Sequence, residues 1–377
     1  MGYRSNRRKK MKIIQVITLG HELYGAQRHV IDLCESLKSE GHEVVLMTGS
    51  TGKMDACAKT IGIETIHLSH LKRSINLYHD IAGVVELVRL FQQIKPDVVA
   101  SHSSKAGILV RIAAWWLTIP NAFTVHGWSF AEGSGFFTRK IYQIIEKVIG
   151  WISCKVIVIA EADRQYALQL NVINPSKMEL IYHGIKAPAT INEAIRSQNS
   201  TFTMVMSARF QAQKDHITLI RALVPLKKLD WQLYFLGDGE LLGEVKELAE
   251  SEGLAGKIHF EGAVDNVGDY LERAHLFLLI TNWEGLPISI LEAMSYGLPV
   301  VATDVAGIKE EVWHQQNGFV VARKGEKEIT EAIQALYESK ELRVKMGAKS
   351  REIFNLRFRM DLMTKNTIEL YQKIIEP

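Results

Sequence analysis

Cysteine is scarce in this 377-residue chain: Cys34, Cys57 and Cys154 are odd in number and far apart. That spacing supports neither a disulfide framework nor a zinc knuckle, and a reducing compartment fits it best. No Gly-x-Ser-x-Gly elbow and no Walker lysine loop occurs, which argues against a serine hydrolase and a P-loop NTPase. No Asp-x-Asp follows an apolar run, and His21, His102, His126 and His183 read as scattered, so chemistry without a metal is expected. Long uncharged runs are missing too. The longest, 112–131, is interrupted by Pro120, Asn121 and Gly127, so no membrane span is expected. The apolar run 11–19 lacks a small-residue cleavage site and is too short for a signal core. Nor is there charge of one sign, since the net formal charge is only +3. Arg4, Arg7, Arg8, Lys9, Lys10 and Lys12 carry much of that excess, so composition gives no argument for nucleic acid.

What is present is a globular balance, 47% hydrophobic and 23% charged. At about 150 residues per domain, the length favours two domains. Short β-branched apolar runs at 12–19, 43–48, 64–68, 97–101, 122–125 and 156–159 alternate with helical stretches such as 27–39 and 79–94. The rhythm restarts at 202–207, 232–236, 258–260, 276–280 and 299–302. Buried strands separated by helices predict two doubly wound parallel sheets. The expected boundaries are a basic tail at 1–11, a first domain at 12–185, a linker at 186–200, a second domain at 201–357 and a C-terminal helical segment at 358–377. In such sheets ligands bind beyond the carboxyl ends of the strands, and two of them facing each other would form a cleft.

Several strand ends carry candidate chemistry. After the strand ending at Ile280, the run Thr281-Asn282-Trp283-Glu284-Gly285-Leu286-Pro287 turns into a helix carrying Glu292. Gly285 suits a tight turn and Pro287 the first helical turn, and helix-start amides suit an anion. The bland alternative is a helix-dipole charge plus a solvated glutamate. After the strand ending at Ser207, Arg209 and Lys214 offer a planar fork and a compact charge for a diphosphate, or are simply solvated cations. In the first half, Gly25 lies where strand becomes helix, without the full G-x-G-x-x-G fingerprint. His126 ends a strand, as does His102 before it.

Taken together, the run Glu284-x7-Glu292, with Gly285-Leu286-Pro287 and Leu291-Glu292-Ala293-Met294 inside it, resembles the E-x7-E signature of retaining glycosyltransferases of family 4. Arg209 and Lys214 precede it, and Pro299–Gly307, Glu310 and Asn317-Gly318 follow it, in that family's order. The resemblance implies the GT-B fold, two doubly wound Rossmann-like domains facing each other across a cleft. It implies catalytic contacts from His126 and Glu284 to the transferred sugar. Gly25, Arg209, Lys214, Gly285 and Leu286 would hold the donor diphosphate, while Glu292 binds the ribose and Gly262 and Val264 cradle the base. Departures are Tyr24 for the first loop glycine, Gln27 for a glutamate, His183 for an asparagine and Ala306 for a glycine.

The function so implied is transfer of a hexose or N-acetylhexosamine from a nucleotide sugar, UDP-linked, with retention, no metal and no separate cofactor. Ser101–Gly107 and Thr124–Phe130 resemble members that build bacterial surface polysaccharides on lipid-linked or glycan acceptors. Cytoplasmic placement at the inner face of the plasma membrane goes with this. The apolar and basic stretch 136–152 either rests on an anionic bilayer or is a crossover helix buried against the sheet. A nucleotide-sugar 2-epimerase and a non-catalytic scaffold binding a partner are the competing readings.

Overall fold

A computed structural model describes residues 9–21, 23, 25–130 and 135–376. Arg4, Arg7 and Arg8 of the basic tail, and Glu22 and Tyr24 of the first loop, lie outside the described residues. The chain divides into two compact units, residues 1–182 with 360–377, and residues 183–359.

The first unit is built on β1 (Lys12–Ile17), β2 (Glu43–Thr48), β3 (Glu64–His67), β4 (Val98–Ser101), β5 (Asn121–Val125), β6 (Lys155–Val158) and β7 (Met178–Leu180). Its helices are α1 (Gly25–Ser39), α2 (Lys53–Thr60), α3 (Leu77–Ile94), α4 (Ser104–Trp116), α5 (Phe136–Ile149) and α6 (Glu161–Gln169). The order is β3-β2-β1-β4-β5-β6-β7, and every pairing is parallel. Ile13, Ile14, Val16, Val98, Val99 and Ala100 are fully buried, as strands covered by helices on both faces require.

The second unit holds β8 (Phe202–Ser207), β9 (Trp231–Leu236), β10 (Ile258–Gly262), β11 (Leu276–Leu279), β12 (Val300–Thr303) and β13 (Gly318–Val321). Around them lie α7 (Glu193–Gln198), α8 (His216–Leu223), α9 (Leu242–Ser251), α10 (Val267–Arg273), α11 (Ile288–Ser295), α12 (Ile308–Glu311), α13 (Glu326–Glu338) and α14 (Lys340–Arg357). Its sheet, β10-β9-β8-β11-β12-β13, is parallel as well. The stretch expected as the linker, 186–200, carries a short helix. This is α7, whose Arg196 Nη2 donates to the carbonyl of Tyr296 at 3.0 Å, tying the segment to the second unit. The last helix, α15 (Met360–Ile375), belongs to the first unit, where Met363, Ile368, Leu370 and Tyr371 share a core with Ile13, Val30 and Val98.

Beneath α4 and α5 the first unit buries a charge pair. Arg111 Nη2 reaches both Glu146 carboxylate oxygens at 2.9 and 2.8 Å, its Nε donates to the Gly107 carbonyl at 2.7 Å, and its guanidinium lies 4.3 Å from the Phe123 ring centre. Glu146 thus turns inward, and α5 is not buried all round: Phe136, Phe137, Ile141, Ile144 and Val148 stay exposed. Among the described residues, no helix is long and apolar enough to cross a membrane. Removing one partner strands a buried charge, so Glu146→Ala should cost about 3–5 kcal/mol in urea unfolding. The double change Arg111→Met, Glu146→Leu should cost clearly less, and equal losses would refute an electrostatic origin.

Candidate functional site

Sheet order reverses between β8 and β11 in the second unit, the point on the carboxyl edge where a doubly wound sheet receives ligands. The loops leaving these two strands are cross-tied there. Asp215 N donates to the Ile280 carbonyl at 2.9 Å and Asn282 N to the Gln213 carbonyl at 2.8 Å, with Lys214 and Thr281 forming an antiparallel bridge. This brings Lys214 and Glu284 into an ion pair, their side chains only 13% and 7% exposed. Thr281 Oγ1 also donates to Glu284 Oε1 at 2.9 Å, and Gln213 Nε2 to Glu284 Oε2 at 3.3 Å. The carboxylate is therefore held by three donors before any ligand arrives.

The loop after Glu284 depends on a glycine beneath it. Gly307 has φ of +83°, and a Cβ there would run into the Gly285 carbonyl. Leu286 is buried, and Pro287 stands at the N-cap of α11 rather than inside its first turn as expected. Glu292 is half-buried on that helix. Arg209 lies exposed in the turn after β8, unlike the enclosed Lys214. Gly262 ends β10 at φ +73°, with its carbonyl accepting from Gly237 N at 2.7 Å, and Val264 follows half-buried.

One residue here escaped the sequence reading. Glu311 is fully buried on the short α12, and neither of its carboxylate oxygens finds a hydrogen-bond donor among the described residues. Burial foremost, then the negative charges of Glu284 and Glu310, holds its pKa well above the usual carboxylate range against the opposing pull of Lys214. Identical neighbours Glu310-Glu311 on a four-residue helix give no periodicity from which this burial could have been inferred.

The first unit has the same reversal between β1 and β4, and histidines gather beside it. His102, just past β4, has Nδ1 3.2 Å from His126 Nε2, just past β5. His102 Nε2 lies 2.6 Å from Gln15 Oε1, and Gln15 Nε2 donates to the Tyr371 hydroxyl at 3.3 Å. His29 of α1 packs edge-on against His126 with ring centres 4.7 Å apart. The reading of His102 and His126 as scattered is thus corrected: together with His29, which the sequence did not single out, their nitrogens lie within 4.8 Å of one another and could hold a metal ion. Parallel strand ends bring together residues 73 and 97 positions beyond His29, which spacing in the sequence conceals. Surrounding protein desolvates the His126 ring and lowers its pKa to about 4, so its imidazole is neutral near pH 7. Gly25 begins α1 in an exposed position, and Gln27 Nε2 donates across the same loop to the Leu19 carbonyl at 3.4 Å.

The raised Glu311 pKa has a defined sign. The folded state favours the protonated acid, so its stabilising share is complete below the unfolded pKa, about 4.3, and is lost as pH rises toward the folded value. Melting temperatures from pH 4 to 9 should fall less steeply for Glu311→Gln than for the wild type. Parallel curves would contradict a neutral Glu311.

Comparison with known proteins agrees with this architecture. The family description "Glycosyltransferase Family 4" matches residues 24–187 and "Glycosyl transferases group 1" matches residues 189–353. A UDP-Gal:α-D-GlcNAc-diphosphoundecaprenol α-1,3-galactosyltransferase of Escherichia coli is 26% identical, over 83% of this chain and 84% of its own. A Campylobacter jejuni N,N'-diacetylbacillosaminyl-diphospho-undecaprenol α-1,3-N-acetylgalactosaminyltransferase is 23% identical, over 95% and 97%. Among solved structures, a glycosyltransferase from Rickettsia africae superposes with TM-score 0.83 at 20% identity, covering 97% of this chain and 99% of that one. Anabaena HepE in complex with UDP gives 0.83 at 18%, covering 96% and 100%. With family matches running almost unbroken from 24 to 353 and the reversed parallel order in both sheets, the chain belongs to glycosyltransferase family 4 and is a glycosyltransferase of the GT-B fold.

Proposed function

We propose that the protein transfers a hexose or N-acetylhexosamine from a UDP-sugar to a lipid-linked glycan acceptor, with retention at the anomeric carbon, in cell-surface polysaccharide synthesis. The observation that carries this reading is the Lys214–Glu284 pair at the β8/β11 reversal, ahead of the amide end of α11. Support for the substrates comes from two relatives named for diphospho-undecaprenol acceptors, one of them also for UDP-galactose, and from a fold neighbour solved with UDP.

In this reading Arg209, Lys214 and the amides of Gly285 and Leu286 neutralise the donor diphosphate, with Gly25 admitting it closely. Glu292 receives the ribose hydroxyls and Gly262 and Val264 border the base. Glu284 and His126 orient the sugar. The bond from the anomeric carbon to the phosphate oxygen breaks as a bond to the acceptor oxygen forms on the same face. The acceptor's proton leaves with UDP. Positive charge grows on the sugar and negative charge on the leaving group, so fixed cations and amides favour the transition state over the ground state. No step requires a metal.

The same reading seats the protein at the inner face of the plasma membrane. Thirteen of the sixteen exposed large apolar side chains among the described residues fall between Ile75 and Trp151. A concentration of that kind marks an interaction surface.

A mass increase of one sugar on a lipid-diphosphate acceptor, with release of UDP, tests the transfer after a thermal-shift screen of UDP-, GDP- and ADP-sugars. Lys214→Ala and Glu284→Gln should each lower kcat/KM by about 10²–10³-fold. Unchanged rates in both would remove the site assignment. Proton NMR of the donor alone should show no 2-epimer, and its appearance would favour the epimerase.

A further inference from the structure

Between α3, α4 and α5 the first unit carries an apolar groove of about 630 Å³, and twelve of its fifteen lining residues are Ile, Leu or Val. Lys105, Ile108, Leu109 and Ile112 supply its α4 wall. Their spacing puts them on one helix face, and at 1.5 Å per residue they span about 10 Å. Lys105 stands three residues after His102, at the start of α4. The wall therefore starts three residues beyond His102, which contacts His126, and runs out along the helix. Its opposite walls are Ile81 and Val84 on α3 and Ile144 and Val148 on α5.

The charges around the groove are sorted. Each acidic side chain nearby is engaged within the protein: Asp80 pairs with Lys105, Glu86 accepts from the amides of Ser69 and His70, and Glu146 lies under α5 with Arg111. Arg73, Lys140 and Lys147, in contrast, are exposed. Exposed cations thus stand on the segments that carry a hydrocarbon-lined trough, Arg73 just ahead of α3 and Lys140 and Lys147 on α5, while the acids there are paired. That combination suits an anionic lipid, and it disfavours a second copy of this chain, because a twofold contact would set these cations against their own images.

We propose that this groove binds the hydrocarbon chain of the lipid-diphosphate acceptor and leads it along α4 away from the His102–His126 pair. The inference rests on the lipid-linked acceptor of the preceding section and adds where the chain lies. Each buried methylene adds binding energy, so affinity depends on chain length until the trough is full. A bilayer surface contact alone would not discriminate length among soluble ligands.

The test uses the full-length protein with geranyl, farnesyl and geranylgeranyl diphosphates below their micelle concentrations, with pyrophosphate as the chainless control, all measured by calorimetry. For the wild type, affinity should rise at least tenfold from geranyl to geranylgeranyl diphosphate. Ile112→Trp, which fills the trough, and Ile81→Glu, at a position already 59% exposed, should flatten that dependence. Both should leave pyrophosphate binding and thermal stability near wild type. The proposal is overturned by the same length dependence in correctly folded variants, or by no length dependence in the wild type. Loss of flotation on phosphatidylglycerol vesicles together with unchanged length dependence would make the surface a bilayer seat instead. A dimer abolished by Ile112→Trp without any length effect would make it a contact between copies. Transfer to a short-chain soluble acceptor separates the two readings. Normal transfer with no chain-length effect removes only the groove, whereas no transfer to any acceptor removes the function beneath it.

Discussion

Everything polar that matters in this protein follows from parallel pairing. When all strands of a sheet run the same way, their carboxyl ends share one edge, and helices cover both faces. Only that edge and the loops beyond it can expose chemistry. Both sheets reverse their winding once, at β1/β4 and at β8/β11, and at those points loops from neighbouring strands meet. Thr18 and Ser103 at the first reversal share a hydroxyl contact of 2.7 Å, and Gln213, Lys214, Thr281 and Glu284 meet at the second. Residues 70 to 85 positions apart become neighbours because the sheet brings their strand ends side by side.

The interior also decides which charges survive. Lys214 and Glu284 pair with each other at the carboxyl edge of the second sheet, whereas Glu311, close enough to feel both, is pushed toward its neutral form. On the other unit, burial lowers the Arg111 pKa and the Glu146 carboxylate opposes that, while Ser153 and the Gly107 carbonyl take further donors of the guanidinium. That pairing has an outward effect as well. By drawing Glu146 inside, it leaves α5 with an outer face of large apolar side chains and the exposed cations Lys140 and Lys147.

The sequence made the central strands plain, because a strand buried on both faces is a continuous β-branched run, as in Phe202–Ser207, found with its observed bounds. Edge strands carry less signal. Met178–Leu180 has three residues, two of them half-buried, and Gly318–Val321 opens with glycine, so neither stood out. The E-x7-E run was legible because strand, turn and helix follow one another without interruption. The gathering of His29, His102 and His126 was not, since a histidine on a helix face looks the same whether or not two others wait at strand ends. The inward turn of Glu146 was equally hidden. Its helix reads as amphipathic, and the partner that claims it lies on another helix 35 residues earlier.

The return of α15 to the first unit bears on how the chain folds during synthesis. Tyr371, Ile368 and Leu370 complete a core whose other members, such as Ile13, Val30 and Val98, leave the ribosome hundreds of residues sooner. Domains commonly fold in order of emergence. Here the first-made unit must wait with an open seam while the second, continuous from 183 to 359, can finish ahead of it. Gln15, whose amide bonds to both His102 and Tyr371, acquires the second partner only once α15 has been made. Completion of the histidine site is therefore tied to the synthesis of α15, and a nascent chain cut before it would retain the second sheet while leaving the first unfinished.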